Sequence, residues 1–178
     1  MAANLNTLEP NFRAKAETLI ANCKSNGIEM RPYWALRSPP EQAKVWRQSR
    51  TIEEITQKIA ELKENKAFYL AECLLNAGPQ YGKFCTNAIP GLSWHQWGEA
   101  MDCFWVVENN AEWSTRILIN GINGYSRYAE LAENLGLTAG GHWANLKDWA
   151  HVQLRSERSP LNSFSISEID QTMKKRFS

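Results

Sequence analysis

The tightest constraint on this chain comes from two short segments, far apart in sequence, that carry its most chemically demanding side chains. Residues 93–102 read S-W-H-Q-W-G-E-A-M-D, and residues 147–153 read K-D-W-A-H-V-Q. The chain has only three histidines, and His95 and His151 fall in these segments in the company of carboxylates. Two imidazoles and one carboxylate, His95, His151 and Asp102, make three protein ligands for a divalent metal. Three ligands leave a fourth tetrahedral position open, the arrangement of a catalytic zinc rather than a closed structural one. Zinc so held lowers the pKa of bound water to about 7, so hydroxide becomes available at neutral pH.

The spacing within each segment has a physical reading. Gly98 permits a tight turn between His95 and the strand expected over residues 100–107. On that strand Ala100, Asp102 and Phe104 face one way, and Met101, Cys103 and Trp105 the other. Asp102 can therefore point at a metal that Cys103 cannot reach. Asp148 precedes His151 by three residues, so on a regular strand the two would face opposite sides. Asp148 is accordingly expected in the loop entering the strand, where its carboxylate can accept a proton from water at the metal.

The pattern S-x-H-x-x-G-x-A-x-D followed by acid-x-x-H resembles the LAS metallopeptidases, the group of D-alanyl-D-alanine carboxypeptidases and dipeptidases and of phage L-alanyl-D-glutamate endopeptidases. It is most similar to the phage endolysin branch. The resemblance implies that His95, Asp102 and His151 bind Zn2+ and that Asp148 is the catalytic base. The segment L-R-S-P-P-E-Q at residues 36–42 resembles the group's arginine motif. By that resemblance Arg37 holds the substrate carbonyl or the oxyanion and Gln42 supports it, with Ser93 and Trp143 as further substrate contacts. G-G-H-W at residues 140–143 resembles the turn before the last motif. The implied activity is that of an endolysin, a zinc endopeptidase that cuts the L-alanyl-D-glutamate bond of peptidoglycan stem peptides and lyses the host cell. The alternatives are a D-alanyl-D-alanine carboxypeptidase or dipeptidase, and a non-catalytic zinc-containing wall-binding module. His142 reads as a spectator or cleft wall, and Trp94, Trp97, Trp143 and Trp149 as core rather than sugar platforms.

The rest of the sequence bounds the class. At 178 residues the chain is long enough for one domain with a real core. A formal net charge of +1 argues against a general nucleic-acid binder, which needs a basic excess. No apolar run is long enough to span a bilayer, and the N-terminus lacks a charged region followed by an apolar one. The expectation is a monomer, without stable membrane insertion, that is cytoplasmic on synthesis and reaches the wall through a lesion made by another protein. The four cysteines form no C-x-x-C pair and read as buried thiols.

Helical periodicity is expected over about residues 10–25, 39–49, 52–75, 112–120, 125–135 and 166–177, with strands over 27–36, 100–107 and 149–154. Ser38 and Glu41 predict a capping box with Pro39 at the first helical position. The composite is α+β: a small antiparallel sheet carrying the zinc site, packed with helices, in a single catalytic domain over residues 1–178, with 156–178 a C-terminal helical tail.

Overall fold

The central strand of the protein is flanked on both edges by shorter antiparallel partners. The computed structural model describes residues 3–78 and 81–178. Its contacts divide the chain into two compact units, Met1–Leu36 with Gly98–Ser156, and Arg37–Trp97 with Glu157–Ser178. Among the described residues the architecture is α+β, six α-helices with one small antiparallel sheet.

The first unit holds the sheet. Strand β2 (Ala100–Val107) pairs along one edge with β1 (Glu29–Trp34), and β5 (His151–Gln153) and β3 (Asn110–Glu112) pair along its other edge; β4 (Thr138–Ala139) extends β5. The expected alternation along β2 holds. Met101, Cys103 and Trp105, joined across the register by Met30 and Val152, lie in a core with Phe12, Ala16, Leu19 and Cys23 of α1 (Pro10–Ser25) and Tyr125, Tyr128, Ala129 and Ala132 of α5 (Gly124–Asn134). The opposite face carries Ala100, Asp102 and Phe104 with His151 and Gln153. Helices thus seal one face with apolar surface, and the polar side chains collect on the other.

Local chemistry fixes these elements. Glu9 caps α1 by accepting from the Phe12 N–H, and Pro10 sits at the first helical position. Asn123 caps α5 by accepting from the Tyr125 and Ser126 N–H groups. Gly124 is required by close approach, because a Cβ there would lie 2.4 Å from the Trp105 ring. The helix expected over residues 112–120 is absent: β3 ends at Glu112, and Ile119 and Ile122 bridge across Asn120 and Gly121, both at positive φ. An Asn-Gly pair between β-branched residues favours such a turn over a helix.

The second unit is helical. The capping box at the start of α2 (Pro39–Arg47) is present, with the Ser38 N–H donating to the Glu41 carboxylate and the Glu41 N–H to the Ser38 hydroxyl. The expected single helix over 52–75 is two, α3 (Ile52–Glu64) and α4 (Phe68–Asn76), broken at Lys66, whose φ is +60°. α3 has a narrow apolar stripe and α4 is apolar over most of its length, so a fold-back buries both against one core. That core includes Trp46, Leu62, Leu70, Leu74, Ile169 and Met173, the last two from α6 (Ile166–Phe177). α4 has no side-chain cap of its own; Asp170 of α6 supplies one, accepting from the Leu70 N–H at 2.8 Å.

Cys23, Cys73 and Cys103 are buried free thiols, and burial pushes the first two up to about 12 and about 11; Cys85 is exposed, against expectation. Its sequence neighbourhood is rich in glycine and proline. Among the described residues no helix is long and apolar enough to cross a membrane.

Candidate metal centre

In the first unit, the register pairs Asp102 on β2 directly with His151 on β5. Directly paired residues project from the same face of the sheet, and here the His151 Nδ1 and the Asp102 Oδ1 stand 3.0 Å apart, each residue 7% exposed. The other ring nitrogen of His151 lies 3.0 Å from the Gln153 Oε1. Burial disfavours the charged imidazole, but the hydrogen bond and charge of Asp102, the charge of Asp148 and the bond to Gln153 together raise the His151 pKa above its usual value. An imidazole nitrogen and a carboxylate oxygen this close are both acceptors unless a cation, proton or metal, lies between them.

Behind this pair runs a tether. The Gln153 amide donates to the Arg155 carbonyl at 2.7 Å, and the Arg155 guanidinium grips the buried Glu99 through two contacts of 2.5 and 3.0 Å. The Glu99 carbonyl also accepts from the Leu154 N–H. Gly98, at φ +73°, makes the turn into β2; a Cβ there would meet the Glu9 nitrogen at 3.1 Å, which the Gly98 carbonyl binds.

Asp148 lies in the loop before β5, as the spacing requires, and is exposed. Its carbonyl accepts from the His151 N–H at 3.2 Å, a turn that shortens the expected strand to three residues, and its own N–H donates to the Gly140 carbonyl. A Cβ on Gly140 would lie 2.4 Å from the Asp148 carbonyl oxygen and 3.2 Å from the Cβ of both Asp148 and His151. The first glycine of the Gly-Gly pair therefore exists to let the Asp148 loop pack close against His151. Trp143 is half-buried, its ring 5.3 Å from that of His151. His142 is exposed and bonds Glu133.

In the second unit, His95 sits in a short 3-10 turn, Trp94–Trp97, and is buried. The half-buried Ser93 opens that turn, its hydroxyl accepting from the His95 N–H. The Arg37 N–H donates to the His95 carbonyl. The buried Arg37 guanidinium donates to the Gln42 Oε1 at 2.9 Å; Gln42, fully buried, also accepts from Gln96 and donates to the Ala88 carbonyl. Gln96 in turn accepts from the Ser93 N–H. An unbroken chain of polar contacts thus joins the arginine motif to the turn that carries His95.

Asp102 and His151 of the first unit and His95 of the second are all buried. Two imidazoles and a carboxylate form a donor set that suits zinc. Gln96, Glu99, Gln153 and Arg155 were not singled out by sequence reasoning. For Gln153 the signal was present: two residues beyond His151 on a strand, it must share the histidine's face. For Gln96 none was, because its partner Gln42 is 54 residues away.

The VanY family profile, described as D-alanyl-D-alanine carboxypeptidase, matches residues 5–139. Among solved structures, the Serratia marcescens L-Ala D-Glu endopeptidase ChiX matches with 16% identity and a TM-score of 0.48, over 85% of this chain and 84% of that one. The vancomycin resistance D,D-pentapeptidase VanY from a VanB-type cassette, solved as a point mutant in complex with Zn(II), matches with 15% identity and a TM-score of 0.47, over 96% of this chain and 84% of that one. No curated protein matches the chain.

Proposed function

The chain belongs to the VanY D-alanyl-D-alanine carboxypeptidase family, and on that premise we propose that it is a zinc peptidase hydrolysing the L-alanyl-D-glutamate bond of peptidoglycan stem peptides. The observation that carries the reading is the buried Asp102 and His151 pair, carboxylate and imidazole 3.0 Å apart on one face of the sheet; with His95 as the third ligand, a coordination position would remain for the reaction. Zinc held there supplies Lewis acidity and makes hydroxide available near neutral pH.

The protein's own residues supply the remainder. Asp148, exposed beside His151, takes the proton of the attacking water and returns it to the leaving amine. Arg37 donates to the oxyanion that develops on the scissile carbonyl, where a preorganised donor contributes most. The buried Gln42 holds the Arg37 guanidinium in place rather than touching substrate. Ser93 and Trp143 line the approach. The whole of residues 1–178 acts as one catalytic domain, a monomer that works on wall peptide and not on nucleic acid. The endolysin role, with release through a membrane lesion, rests on the motif resemblance to the phage branch.

Mass analysis of fragments released from purified peptidoglycan tests the bond. New amino termini on glutamate, abolished by chelator and restored by zinc, support the reading. A second reading, removal of the terminal D-alanine, is favoured by the description of the family; release of D-alanine with intact L-alanyl-D-glutamate bonds would establish it instead.

A further inference from the structure

We propose that Gln153 is a positioning residue for the metal site: it holds the His151 ring so that Nε2 carries the hydrogen and the Nδ1 lone pair faces Asp102. The inference rests on His151 being a ligand, as proposed above.

The direction of the Gln153 amide sets the tautomer of the neutral His151 ring. The Gln153 Nε2 donates to the Arg155 carbonyl at 2.7 Å, which leaves the Oε1 to face the His151 Nε2 at 3.0 Å. An amide oxygen only accepts, so the ring nitrogen opposite it must donate. A neutral imidazole has one N–H, and with that hydrogen on Nε2 the lone pair is on Nδ1, directed at the Asp102 carboxylate 3.0 Å away. In the neutral ring two acceptors are thereby aimed at each other, a geometry that a proton or a metal ion between them relieves. Gln153 is 1% exposed, so its amide cannot exchange these partners for bulk water without cost.

The tether behind Gln153 gives the orientation its rigidity. The carbonyl that fixes the amide belongs to Arg155, whose side chain forms the two-point pair with Glu99, and the Leu154 N–H donates to the Glu99 carbonyl. Glu99 immediately precedes β2, the strand that carries Asp102. Residues 153–155 are therefore tied by side chain and backbone to the same strand that presents the second ligand. A plain structural amide would need no such alignment with the ring nitrogen opposite it. Groups that orient a metal-bound histidine through its distal N–H raise its basicity and fix its tautomer.

The test compares zinc affinity, by competition with a chelator, for the wild-type protein, Gln153→Met and Gln153→Glu, together with the thermal midpoints of the metal-free forms. Methionine keeps the volume and removes the acceptor; glutamate keeps an oxygen opposite the ring. We expect Gln153→Met to bind zinc about 10–100-fold more weakly, with Gln153→Glu recovering most of that loss and a metal-free midpoint for Gln153→Met close to wild type. Equal zinc affinity in Gln153→Met and wild type would overturn the inference. If Gln153→Met does not fold, the ring ¹⁵N spectrum of zinc-loaded wild type decides: metal on the His151 Nδ1 with hydrogen on Nε2 supports it, and metal on Nε2 overturns it. A wild-type protein that binds no zinc would overturn the ligand reading itself, which the same titration shows first.

Discussion

Asp102 and His151 are direct partners across the β2–β5 ladder, their carboxylate oxygen and ring nitrogen 3.0 Å apart on the face of the sheet opposite α1 and α5. A one-residue slip in that register would put one of the two on the opposite face. Asp102→Asn keeps the shape and removes the charge. Zinc should no longer copurify at one ion per chain, and added zinc should no longer raise the thermal midpoint, since a ligand stabilises only the state that binds it. A midpoint that still climbs with zinc as in wild type would remove Asp102 from the ligand set.

Arg37 provides a test of chemistry separate from metal binding. Its guanidinium donates to Gln42 while its backbone N–H holds the His95 carbonyl. Arg37→Lys leaves the backbone bond intact and loses the planar fork. If Arg37 serves the oxyanion, kcat should fall by about 10²–10³ with zinc content unchanged. An unaltered kcat would assign Arg37 a purely structural part.

Gly140 shows how closely the Asp148 loop is packed. A methyl group there would lie 2.4 Å from the Asp148 carbonyl oxygen, against backbone that cannot swing aside. Gly140→Ala should cost about 1–3 kcal/mol, the range for overpacking a tight site, and should lower activity more than Asp148→Glu does. Denaturant titration beside a rate assay checks both; wild-type stability would mean the loop yields.

Asp170 gives a prediction about pH. It caps α4 through the Leu70 N–H, yet its pKa is raised above the ordinary aspartate value, burial outweighing the favourable backbone bonds and Lys174. For an acid whose folded pKa is raised, the ionised form is penalised in the fold. Stability from this group is therefore greatest below the unfolded pKa, and declines as pH rises from there through the folded pKa. Asp170→Asn retains an accepting oxygen and removes that decline. Asp170→Ala should cost about 1 kcal/mol through loss of the cap. Thermal midpoints of the three proteins across the acid range check this; a wild-type curve and an Asp170→Asn curve of equal slope would refute it.

Much of the fold was legible where the signal is local. The strand alternation of residues 100–107, the capping box at Ser38 and Glu41, and the apolar stripe of α6 are all set by near neighbours. The misreadings fell where two local signals compete. Ile117, Leu118 and Ile119 suit a helix face or a turn flank equally, and Asn120-Gly121 decides for the turn. Lys66 at positive φ breaks a run whose periodicity continues across it. The candidate ligands were legible because metal chemistry tolerates few residue types. The groups that orient them, Gln42 with Gln96 and Gln153 with Arg155 and Glu99, were not, because a buried amide looks like any other glutamine until the fold supplies its partner.

A three-ligand zinc site with a separate proton acceptor is tested by measuring zinc per chain and kcat on the same preparations of wild type, His151→Ala and Asp148→Asn. Wild type should carry one zinc per chain and be active, and His151→Ala should have neither. Asp148→Asn should carry one zinc per chain, with kcat lower by about 10²–10⁴, the span for a positioned acid–base group. Stoichiometric zinc retained by His151→Ala, or a zinc-depleted Asp148→Asn whose rate returns when zinc is added, would contradict it.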